Sequence, residues 1–203
     1  VKGNHEDMME NGFHLEQLDQ PNSDMRQWLY NGGLATVASY IRDYTDEFGQ
    51  EDSEQLRLQV TDDKEWMERL PSHIVLDKWR LVHAGYDPRI ELDSQEEDTL
   101  LWIRRPFHRA EKPIDEQRTV VFGHTPTMNL NTTPGTEKWD HPWFSKVHLN
   151  DGRSASVGLD TCLFHEERQP AMLTAYNLQT LEVVRIARVE QWNEDIRESV
   201  KKV

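Results

Sequence analysis

The 203-residue chain has a single cysteine, Cys162, so no disulfide can form within it, and that usage suits a reducing compartment. It also lacks any apolar run near the roughly 18 residues a membrane helix needs, and any basic-then-apolar leader. Positive charge is scarce: 23 basic residues stand against 37 acidic ones, a formal net charge of −14. That balance argues against binding to nucleic-acid phosphates. No short metal motif of the HExxH kind occurs, and no repeat, linker or low-complexity stretch divides the chain. The expectation from these absences is one cytoplasmic globular domain over 1–203, with no membrane and no nucleic-acid partner.

Core material is ample, with seven Trp, six Phe and five Tyr. Residues 19–70 read as helical, interrupted at Gly32-Gly33. Leu34, Val37, Ala38 and Ile41 recur there at helical spacing, and a second helix over 62–70 is expected, capped by Thr61 or Asp62 and ended by Pro71. The pattern then changes to strands, at 74–76, 79–82, 119–122, 156–159, 172–176 and 181–187. A hairpin connection is expected at 177–180, a helix at 96–104, a polar loop at 129–143 and an amphipathic helix at 189–202. The acidic runs 43–52 and 93–98 read as solvated loops or helix faces.

Three short stretches carry chemistry. Gly3-Asn4-His5-Glu6 places an amide, an imidazole and a carboxylate behind a glycine, which suits a tight loop at a strand end. Two apolar strands run into histidine beside glycine, as His83-Ala84-Gly85 and as Gly123-His124-Thr125. Ligands of α/β proteins gather at the carboxyl ends of strands, and imidazole with amide oxygen suits a divalent transition metal without thiolate. Asn4, His83 and His124 are therefore candidate ligands of one ion.

GNHED at 3–7, WLYNGGLATVASY at 28–40, LVHAGYDP at 81–88, LLWIRRPF at 100–107, VVFGHTPT at 120–127 and GLDTC with MLTAYNL between 158 and 178 span nearly the whole chain. In this order and wording they resemble the metallo-dependent (calcineurin-like) phosphoesterases, specifically the Ser/Thr protein phosphatases of bacterial and bacteriophage type. The resemblance implies an α/β fold, a metallophosphatase-type β-sandwich flanked by helices in four layers, α/β/β/α, with a helical insertion at about 19–70. It implies two divalent ions in the complete protein, manganese first, with iron, zinc or nickel as alternatives. Asn4, His83 and His124 would hold the second ion, and His5 would be the general acid. Arg104, or Arg105 if the register differs, would clamp the phosphoryl oxygens, and Glu6 and Asp160 would brace the site.

The family's two earlier motifs, GDxHG and GDxxDRG, do not occur in these residues. The resemblance therefore implies a chain lacking its first β-α-β segment, weakly active or inactive alone, with uncovered sheet edge that leads to aggregation or to dependence on a partner segment such as the missing N-terminal one. Where the family writes glycine after Asp-Thr, this chain has Cys162, read as a small buried residue. The implied activity is metal-dependent hydrolysis of a phosphomonoester, with phosphorylated protein first, or a small phosphoester, as substrate. A dinucleoside polyphosphate hydrolase and an inactive phosphatase-like binding module are the competing readings.

Overall fold

The computed structural model describes residues 1–46, 49–130, 140–164 and 171–188. The expected terminal helix and most of the polar loop at 129–143 lie outside them. The described residues form two compact units, one over Lys2–Leu70 and one over Pro71–Arg188, in a mixed α/β architecture.

The first unit is helical, with α1 (Asn4–Gly12), α2 (Ser23–Trp28), α3 (Leu34–Asp43) and α4 (Ser53–Glu68). Met9, Phe13, Met25, Trp28 and Leu56 are buried in it, with the Phe13 and Trp28 rings 4.7 Å apart. Asn22 caps α2 by accepting the Met25 N–H. A wide turn over Leu29–Gly33 then re-aims the chain, and Gly32 sits there at φ 105°, where glycine enters without steric cost. The expected second helix starts earlier than its sequence signal. Asp52 caps α4 by accepting the Gln55 N–H, so Thr61 and Asp62 are interior, and the Thr61 hydroxyl donates back to the Arg57 carbonyl. Leu56 and Val60, one turn apart, are the buried face that the polar run 53–62 conceals.

In the second unit, β1 (His73–Val75), β2 (Trp79–Val82), β3 (Thr119–Phe122), β4 (Trp143–Phe144) and β5 (Ser156–Gly158) form one mixed sheet in the order β1-β2-β3-β5-β4. β2, β3 and β5 are mutually parallel, while β1 and β4 are antiparallel edge strands. Every residue of central β3 is buried, as expected of a strand covered on both faces. Val82, Tyr86, Leu100, Phe107, Val120, Phe122 and Leu130 make the core. β6 (Met172–Tyr176) and β7 (Val183–Ala187) pair as a separate antiparallel hairpin.

The expected helix at 96–104 is broken in two. α5 (Glu97–Trp102) ends before Ile103, which is extended, and α6 (Arg105–His108) begins with Pro106 in its first turn. Proline has no N–H to continue a helix, so Arg104 stands in the break between them.

Candidate active site at the carboxyl edge of the parallel strands

Because β2, β3 and β5 are parallel, their carboxyl ends open on one edge of the sheet. His83 leaves β2 there, Gly123-His124 leave β3, and Leu159-Asp160 leave β5. Backbone bonds lace these loops together: Gly123 N–H donates to the His83 carbonyl at 2.9 Å, Leu159 N–H to Phe122 at 2.8 Å and Ala84 N–H to Leu100 at 2.9 Å. Two histidines 41 residues apart in sequence thereby meet, with His83 Nε2 3.2 Å from His124 Nδ1.

His124 is held in an uncommon conformation. Its φ is 60°, and Thr125 N–H donates to the Gly123 carbonyl across it, which describes a three-residue turn with His124 at the apex. Left-handed backbone at a residue other than glycine costs on the order of 1–3 kcal/mol and collects at functional positions. Burial and then the nearby Arg104 charge lower the His124 pKa to about 3, partly opposed by a hydrogen bond with the Trp102 backbone. The imidazole is accordingly neutral near pH 7, the state in which ring nitrogens ligate metal.

Arg104 Nη1 donates to the Thr125 hydroxyl at 2.9 Å, which sets its guanidinium beside the His83–His124 pair. Arg105, the alternative, opens α6 and is exposed. Asp160 sits at the same edge, with its carboxylate accepting the Cys162 N–H and its carbonyl accepting the Thr127 N–H. Cys162 is buried at φ 63°, a conformation glycine adopts freely, which accounts physically for glycine being the simpler choice there.

Asn4, His5 and Glu6 belong to the helical unit. The expected tight loop at a strand end is replaced by a helix start: Gly3 is the cap of α1, and Asn4, His5 and Glu6 are its first turn. The Glu6 carboxylate accepts the Gly3 N–H at 2.9 Å, and Glu6 with Asp7 puts negative charge at the helix N-terminus. Glu6 thus closes the helix start. Asn4 is buried and His5 exposed.

The paired histidines have the donor chemistry of metal ligands. Two nitrogens bound to one ion at about 2.0–2.1 Å, at angles between square and tetrahedral, stand roughly 2.9–3.4 Å apart. The observed 3.2 Å fits that separation, as it fits an N–H···N bond between the rings. Among the described residues, no three His, Cys, Asp or Glu side chains converge as a metal site.

Sequence reasoning passed over His108. Its ring stacks on Phe122 at 5.5 Å, its Nε2 is buried without a partner, and burial followed by the Arg104 charge lowers its pKa to about 4. Its signal was weak, a single histidine after Pro-Phe in WIRRPFH. Because the folded pKa lies below the ordinary 6.5, the unfolded chain binds the extra proton first, and stability falls as pH drops from about 6.5 to about 4. Urea midpoints at pH 7 and pH 5 should therefore converge in His108→Leu relative to the parent chain. An unchanged difference would show that His108 does not carry this acid sensitivity.

No helix among the described residues is long and apolar enough to cross a membrane. Comparison of the chain with family models, curated proteins and solved structures finds no match in any of the three.

Proposed function

We propose that this chain is a metal-dependent phosphomonoester hydrolase acting on phosphoserine and phosphothreonine in protein, and that its sheet and hairpin belong to a metallophosphatase-type β-sandwich. The observation that carries this reading is the meeting of His83 Nε2 and His124 Nδ1 at 3.2 Å, with Arg104 anchored to Thr125 beside them. Two paired imidazoles, of which His124 stays neutral, and an arginine fork at one sheet edge suit a phosphate ester held against a cation.

His83 and His124 would hold a divalent ion, manganese first, which when bound would polarise a phosphoryl oxygen and make water acidic enough to supply hydroxide near neutral pH. Arg104 binds the equatorial phosphoryl oxygens as charge spreads onto them. Its bond to the Thr125 hydroxyl orients the fork before substrate arrives, so little ordering remains to be done on binding. His5 is the general acid the resemblance assigns. No covalent phosphoenzyme is required.

The test is Mn²⁺ titration followed by loss of the free-ion EPR signal, together with p-nitrophenyl phosphate hydrolysis in Mn²⁺ and after chelation. Parent protein should bind the ion, and His83→Ala and His124→Ala should each lower Mn²⁺-supported turnover by about 100-fold or more, as expected for loss of ligands rather than of outer contacts. No Mn²⁺ binding and no metal-stimulated hydrolysis, either by this chain or by a folded version extended upstream in its reading frame, would refute the enzyme reading and favour a binding module. Preference for diadenosine tetraphosphate over a phosphopeptide would move the substrate class.

A further inference from the structure

Most arginines of the sheet unit have partners. Arg80, Arg89, Arg118, Arg153 and Arg185 each pair with a carboxylate, and Arg104 is anchored to Thr125. Arg105, Arg109 and Lys112 differ. All three are exposed, and among the described residues none of them makes an ion pair or a side-chain hydrogen bond. The formal net charge of the chain is −14, so a cation meets carboxylates easily, and open cations gathered between 105 and 112 mark a place where an outside anion is favoured.

These cations border a groove of about 430 Å³. Pro88, Ile90, Pro106, Pro113 and Ile114 give it an apolar lining stiffened by the proline rings, with Arg109 and Lys112 beside them. Asp87 and Glu111 also line it. The Asp87 carboxylate is already engaged, because Arg89 donates to it through Nε at 2.9 Å and through Nη2 at 2.6 Å. Glu111 alone stands against the open cations. Arg105 lies one helical turn before Arg109, whose N–H donates to the Arg105 carbonyl at 3.1 Å, so both stand on one face of α6.

The chain itself ties the groove to the candidate site. Pro106 is two residues from Arg104, and with consecutive Cα atoms about 3.8 Å apart the two Cα atoms are no more than about 7.6 Å from each other. An extended peptide covers that distance in two to three residues, at roughly 3.3–3.6 Å each. A peptide seated along the groove therefore brings a residue a few positions away in its own sequence to Arg104.

We propose that this groove docks an acidic, extended segment of a phosphoprotein, with Arg109 and Lys112 receiving carboxylates that flank the phosphorylated residue. This rests on the phosphatase reading above and narrows its substrate class to acidic phosphopeptides. The contacts lie at an exposed rim, so they supply attraction and selectivity while leaving the chemical step to the site, and salt weakens them.

Binding and turnover are measured separately. Fluorescence anisotropy on the full chain in EDTA compares labelled phosphoserine peptides that carry three glutamates or three alanines on each side. The glutamate peptide should bind about 10-fold more tightly at about 50 mM salt, and the preference should shrink towards unity at about 0.5 M. Arg109→Glu combined with Lys112→Glu should abolish the preference and leave Mn²⁺-supported p-nitrophenyl phosphate hydrolysis at the parent rate. Equal affinity for the two peptides, a preference that survives the charge reversal, or equally strong competition by an oligothymidylate of the same charge would each overturn the assignment. A preference that the charge reversal abolishes, in a protein that hydrolyses no p-nitrophenyl phosphate even when folded and extended upstream, would remove the phosphatase reading and leave the groove as a docking site for acidic peptides.

Discussion

Asp115→Ala is expected to lower the stability of the sheet unit by about 3–5 kcal/mol, because it strands a buried cation. Arg80 on β2 and Asp115 ahead of β3 are both buried, and Arg80 Nε donates to the Asp115 carboxylate at 2.6 Å. The same carboxylate accepts the Gln117 and Arg118 N–H groups at 2.8 and 3.0 Å, so its loss also leaves turn donors unmet. Urea unfolding of the two proteins measures the difference. The double variant Arg80→Met with Asp115→Leu should recover much of it, since removing both charges avoids the uncompensated ion. A cost below about 1 kcal/mol for the single variant would show that the pair is not buried in solution.

The pair also predicts an acid limb. Burial alone pushes the Asp115 carboxyl up, but the Arg80 guanidinium and the two backbone N–H groups together hold it below the usual carboxylate range. A carboxylate whose folded pKa is depressed contributes stability above its unfolded value near 3.9, and loses it as pH falls through the folded value. Asp115→Asn should flatten that limb while lowering stability at neutral pH.

The second large effect is expected at Gly85. Its φ is 149°, a region closed to other residues, and a Cβ built there would run into the Phe107 ring. Backbone strain of about 1–3 kcal/mol adds to overpacking of about 1–3 kcal/mol, so Gly85→Ala should cost about 2–6 kcal/mol by thermal or urea unfolding. Gly85 follows His83 by two residues and links it to the buried Tyr86, so strain released here would also displace the His83 imidazole. Adding Phe107→Leu should relieve the steric part and leave the backbone part. A Gly85→Ala variant within about 1 kcal/mol of the parent would sink this account of the glycine.

The strands were the most legible elements. Apolar runs such as Thr119-Val120-Val121-Phe122 and Met172-Leu173-Thr174-Ala175-Tyr176 appear in the structure over the same residues, because runs this apolar, bounded by turn residues, are strongly placed. Helix starts were less so. The α4 start is hidden because its cap, Asp52, lies inside an acidic run that reads as loop, and Gly3-Asn4-His5-Glu6 has the composition of a loop although Glu6 three residues after Gly3 closes a helix start. In both cases a local hydrogen bond decided between two conformations that composition leaves equal.

By itself the sequence determined which residue types are available for chemistry, that two histidines follow apolar strands beside glycine, and that the surface carries excess negative charge. Those are properties of single residues and their near neighbours. Tertiary structure alone decided that β2, β3 and β5 run parallel, so that His83 and His124 meet at 3.2 Å, and that Arg104 rather than Arg105 reaches Thr125. Strand direction and register depend on pairing between residues far apart in the chain, and no local periodicity encodes them.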